Sequence, residues 1–202
     1  MAEGIGWILE PYLVDCVTFA RGVEPAELAA RLGARPGQEA RSGSAEDAAG
    51  LLGGGAASTV ARVGRAGEWA FAVEYGDAVG STGSGLRAAS AGAAEAVNFL
   101  LTPWHPPSVF SYFRDGDAIC SFGIGEEGQR WGERPDLLAP ALTEADVLPA
   151  RPELRAAEAE AEAEAERVRR LSVLTIGEHF GLRLPRGAVL DGELPMFVVR
   201  GA

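Results

Sequence analysis

Glu74 stands on an aromatic run beside Tyr75, and a carboxylate facing a concave sheet can hold a cation or move a proton. Its simpler role is a polar residue facing water on the outer side of an alternating strand. Three further residues could share a cleft with it. His105, in Trp104-His105-Pro106-Pro107, is one of two histidines and sits at a rigid strand end. A catalytic histidine needs an orienting carboxylate and a nucleophile, and the local sequence offers neither. Asp115 and Asp117 form a carboxylate pair around Gly116, although a hairpin turn asks for the same Asp-Gly sequence. Arg87 follows the glycine-rich run Gly76 to Gly85, whose backbone amides could cradle an anion. The glycines at 80, 83 and 85 do not have dinucleotide-loop spacing, and a turn capped by Ser84 accounts for the same residues. The second histidine, His179, is expected in the last turn of a helix beside Phe180, where positive charge is favoured. Cys16 and Cys120 stand alone and read as buried thiols.

All 18 basic residues are arginine, and there is no lysine. This inventory excludes a Walker-type phosphate loop, Schiff-base chemistry and a metal cluster rich in His and Cys. No catalytic residue, metal ligand or cofactor is assigned. With 29 Asp and Glu the formal net charge is −11, which repels nucleic acid and anionic lipid at long range. It would instead steer a basic protein partner. Candidate contact residues for such a partner are Trp69, Trp104 and Trp131: tryptophans are more often core or rim anchors, but exposed ones mark recognition surfaces. The acidic residues Glu160, Glu162 and Glu164 are further candidates, as a decoy surface or as a solvated spacer.

These residues need elements to position them. Residues 7–20 read as extended, with Pro11 holding part of the segment at an edge or in a bend. Pro25 opens a short helix through Leu28 and Leu32 that Gly33 ends, and Ser44 with Asp47 caps a second. Thr59 to Val63 and Glu68 to Tyr75 read as strands joined by Gly64-Arg65-Ala66-Gly67, with Trp69, Phe71, Val73 and Tyr75 at a period of two. A short helix lies around Leu86 to Ala91, followed by a strand from Ala94 to Leu101. Val109 to Phe113 and Ala118 to Phe122 flank the strongest hairpin signal in the chain. Pro135, and Thr143 with Asp146, mark short helical pieces. Ala156 to Glu166 alternates Ala and Glu but reads as helix, because both are good helix formers and poor strand formers. Met196 to Val199 is expected to add an edge strand.

The expected class is therefore α+β: a mainly antiparallel sheet of about five strands, short flanking helices and a longer C-terminal helix. Residues 1–150 form the main domain. Residues 151–202, the Ala/Glu-rich helix and tail, dock on it. No basic leader or long apolar stretch is visible, so a soluble cytoplasmic protein is expected, and unpaired cysteines suit a reducing compartment. The Ala, Gly and Arg bias points to a GC-rich, actinobacterial source.

Gly67-Glu68-Trp69, Val73-Glu74-Tyr75-Gly76, Ala89-Ser90-Ala91-Gly92, Ala96-Val97-Asn98-Phe99 and Phe113-Arg114-Asp115-Gly116-Asp117 together resemble a family of uncharacterised actinobacterial proteins. Cys16-Val17-Thr18-Phe19, Arg21-Gly22 and Arg130-Trp131-Gly132 fit the same pattern, over roughly residues 7–148. The resemblance implies a fold and no established activity, cofactor or catalytic residue. The function expected from the residues is a non-enzymatic interaction module with an acidic surface, of the immunity or defence kind. The alternative is a small-ligand sensor or enzyme whose cleft on the sheet uses Glu74, Arg87, His105 and Asp115.

Overall fold

The computed structural model describes residues 4–10, 13–55, 57–101, 107–148 and 158–200. Pro11, Trp104, His105, Pro106, Ala156 and Ala157 lie outside the described residues, as do the side chains of residues 158–161.

The class is α+β, but the sheet is larger than the expected five strands. Nine strands form one antiparallel sheet: β1 Cys16–Arg21, β2 Arg41–Gly43, β3 Thr59–Ala66, β4 Trp69–Gly76, β5 Glu95–Leu100, β6 Val109–Arg114, β7 Asp117–Gly123, β8 Arg130–Trp131 and β9 Leu194–Val199. Their order is β2-β9-β3-β4-β1-β5-β6-β7-β8. The sequence estimate fell short because β2 and β8 span three and two residues and carry no periodicity. β9 is not an edge: it pairs with β2 on one side and β3 on the other.

Helices α1 Pro25–Arg31 and α3 Gly83–Ala89 cover one face of the sheet. That face is built of small residues, Ala20, Ala61, Ala70, Ala72 and Ala96, which let helices lie close. The opposite face is aromatic. Phe19, Trp69, Phe71, Phe99, Phe110 and Phe122 pack there beneath the C-terminal half of α5 Glu158–Phe180, with α4 Ala139–Glu144 and α6 Arg186–Leu190 alongside. Helix α2 Ala45–Gly53 adds a smaller cluster at the β2 end and begins with the capping box of Ser44 and Asp47.

Both faces being covered explains why β1 and β4 are buried along nearly their whole length. Residues Gly6–Leu9 form a 3₁₀ turn rather than a strand. Ile5 and Ile8 are buried there, and the Trp7 indole donates to the Leu184 carbonyl at 3.0 Å. The β3–β4 hairpin turns at Gly67-Glu68, later than expected. Gly64 stays in β3 because the Phe71 ring lies over it, 2.4 Å from where a Cβ would stand. Among the described residues no helix is long and apolar enough to cross a membrane.

Candidate functional site

Strand register brings Arg21 of β1, Glu95 of β5 and Arg114 of β6 into one row at the end of the aromatic face. Glu95 is the acid between two guanidiniums. Arg21 bonds one carboxylate oxygen, and Arg114 Nε lies 3.7 Å from the other. Arg21 also stacks on Trp69, with its guanidinium 5.0 Å from the ring centre. The more exposed Glu68 approaches Arg21 at 3.8 Å. Tyr112, two residues before Arg114 on the same face, has its phenol pKa raised by burial and by the Glu95 carboxylate.

The row is one wall of a cavity of about 310 Å³, lined also by Ile119, Arg134, Leu137, His179 and Phe180. Arg134, His179 and Phe180 have their own positioning devices. The Arg134 amide donates to the Ile119 carbonyl at 2.8 Å, beside the β6–β7 register shift. Gly132, at φ +119°, lets that segment lie against the same carbonyl, where a Cβ would come within 2.5 Å. His179 and Phe180 come from the last turn of α5, which ends before Gly181 at φ +66°. The Phe180 ring packs against Tyr112 with centroids 4.7 Å apart, and its carbonyl accepts the Trp69 indole N–H at 3.0 Å. His179 stands edge-on to Phe180, and partial burial lowers its pKa. Arg134 is exposed and has no carboxylate partner among the described residues. The cavity thus combines an apolar, aromatic lining with three arginines and a histidine against one carboxylate, which suits an anionic ligand.

Of the residues singled out in the sequence, His179 lines the cavity, and Glu74, Arg87 and Asp115 of the proposed cleft lie elsewhere. Glu74 faces the small-residue side of the sheet and is 2% exposed, so it faces neither water nor a cleft. Its two oxygens accept from the Gly80 amide at 3.0 and 2.9 Å, and one also accepts from Thr18 at 3.3 Å. The Cys16 thiol lies 3.7 Å from that oxygen, and the Asn98 amide donates to Cys16 and Thr18. Burial raises the Glu74 pKa, against the lowering effect of the Gly80 and Thr18 donors. Burial, then Glu74, holds the Cys16 thiol well above its ordinary pKa. This cluster fixes the path of the glycine-rich segment: the Gly80 amide is spent on Glu74, not on an anion.

Thr82, not Ser84, caps α3 by accepting from the Gly85 amide. Arg87 donates to the Gly116 carbonyl at 3.3 Å, and Asp115 accepts from the Ala93 amide at 2.9 Å. These bonds tie the β6–β7 turn to the end of α3, at the opposite end of the strands from Glu74. Glu74 therefore does not share a pocket with Arg87 and Asp115. Trp69 is core rather than surface, 2% exposed, whereas Trp131 on edge strand β8 is 51% exposed. Glu162 and Glu164 are exposed on the first half of α5, and Glu164 pairs with Arg167. Among the described residues no group of three or more His, Cys, Asp and Glu is placed to hold a metal.

The charged row of the cavity escaped sequence reading because only cross-strand register joins Arg21, Glu95 and Arg114, positions far apart in the chain. The available signal was the placement of each charge at a strand end.

No curated protein and no solved structure matches the chain. The model of a family of unknown function, DUF6461, matches residues 6–172, which include every cavity residue except His179 and Phe180. That match spans most of the sequence, and the chain belongs to this family.

Proposed function

We propose that the protein binds a small anionic ligand in the cavity between the Arg21-Glu95-Arg114 row and the end of α5. The observation that carries this reading is a cation excess in one aromatic-floored pocket of a chain whose net charge is −11. Cations concentrated against such a background act at short range, where buried walls strengthen them. A thermal-shift panel of small carboxylates and phosphates, with neutral and cationic analogues as controls, tests it. Anions should raise the melting temperature, less so at high salt, and Arg134→Glu should abolish the effect. A panel in which neutral or cationic analogues stabilise as well as anions would reject it.

A protein-interaction role is the second reading, favoured by the exposed Trp131 on a two-residue edge strand. Its partner would be a basic protein, as in an immunity or defence complex. Pull-down at low and moderate salt tests it: a stoichiometric, salt-sensitive partner lost with Trp131→Ala supports it, and an unchanged partner set rejects it. A reducing, cytoplasmic setting fits the two buried free thiols. The arginine-only basic composition supports an actinobacterial source.

A further inference from the structure

We infer that the ligand of this cavity is an aromatic monocarboxylate, held by Arg134 over the rings of Tyr112 and Phe180. The inference rests on the anion-binding reading above and narrows it. Charge comes first. Of the three guanidiniums, Arg21 and Arg114 share Glu95, and Arg21 also meets Glu68. Glu95, the cavity's one carboxylate, is shared by Arg21 and Arg114, the exposed Glu68 lies outside the cavity, and Arg134 is the arginine without an acidic partner among the described residues. One uncompensated guanidinium matches one carboxylate, which it can meet with two parallel N–H donors. A phosphate dianion would call for a second guanidinium free of an acidic partner. Neutral His179 adds a donor without adding charge.

The walls set the rest of the ligand. Tyr112, Phe180, Ile119 and Leu137 line the apolar part. The Tyr112 and Phe180 rings are tilted 47° to each other at 4.7 Å, offering ring faces and edges to a third ring. At about 310 Å³ the cavity lies at the small end of ligand pockets, suited to a single ring with its carboxylate rather than to a nucleotide.

Isothermal titration of the full chain at pH 7 and low salt compares benzoate, acetate, benzyl alcohol and phenyl phosphate. Benzoate should bind at least about tenfold more tightly than each of the others. Arg134→Gln should weaken benzoate by about tenfold or more with an unchanged thermal melt, since Arg134 is exposed. Phenyl phosphate matching or exceeding benzoate would overturn the monocarboxylate assignment and leave the anion-binding reading standing. Acetate matching benzoate would overturn the aromatic requirement in the same way. Benzyl alcohol matching benzoate, or no binding by any of the three anions, would overturn both. Unchanged benzoate affinity in Arg134→Gln would overturn the assignment of that arginine.

Discussion

A methyl group at residue 80 would stand 2.1 Å from both the Glu74 carboxylate and the Thr18 hydroxyl, so Gly80 is fixed by packing rather than by backbone freedom. Gly80→Ala should cost about 3 kcal/mol, measured by urea unfolding, through overpacking and loss of the amide bonds to Glu74. A cost below about 0.5 kcal/mol would show that the Val79–Ser81 turn is free to move away. Glu74 itself gives a pH signature. Its folded-state pKa is raised above 4.5, so its contribution is fully present below the unfolded value and is lost as pH rises through the folded one. Glu74→Gln binds no proton there. The stability advantage of the natural protein over this variant should therefore be largest near pH 4 and shrink toward pH 8, by urea unfolding at both. An advantage that grows with pH would mean that the ionised carboxylate is the favoured form. Glu74 reads in the sequence as the polar member of an alternating strand; a second layer of helices, invisible to strand periodicity, buries it instead.

Helices and strands with strong local signals were legible. Asp115-Gly116 turns the β6–β7 hairpin with both residues at positive φ, as the sequence suggested. Ser44 and Asp47 cap α2, and residues 158–166 of the Ala–Glu run lie in α5. Elements defined by their partners were not legible: β2 and β8 exist only because β9 and β7 offer them an edge. The same contrast governs the C-terminal region. Replacing Glu160, Glu162 and Glu164 together by Gln should change stability by no more than about 1 kcal/mol, because ion pairs such as Glu164–Arg167 are exposed. A larger loss in thermal melting would show that this half of the helix is packed. Removing residues 194–202 should instead abolish the cooperative transition. It takes β9 out of the sheet, together with Met196, Phe197 and Val199 from the core. It also exposes β3, whose buried Arg62 donates to carbonyls of Gly43, Val189 and Gly192 on the segments β9 holds in place. A sharp melt in the shortened chain would refute this.

For the molecule as a whole, acidity and a cationic cavity make binding depend on solution conditions in a stated direction. His179 has a lowered pKa and is neutral at pH 7; it gains charge only as pH falls below the ordinary histidine range. Benzoate affinity should therefore rise from pH 7.5 to pH 5.5, by calorimetry, and the rise should vanish in His179→Asn. A flat profile in the natural protein would place His179 outside the ligand's reach. Strand order carries a further consequence, for biosynthesis. Synthesis runs from N- to C-terminus, yet the strand that seals β3 is Leu194–Val199, made long after β3 and β4. Until β9 has been made, β3 is an unsealed edge, open to pairing with another chain. The nascent protein can complete its sheet only once β9 has emerged, so the interval between synthesis of β3 and of β9 is when it is most exposed to aggregation and most in need of a chaperone.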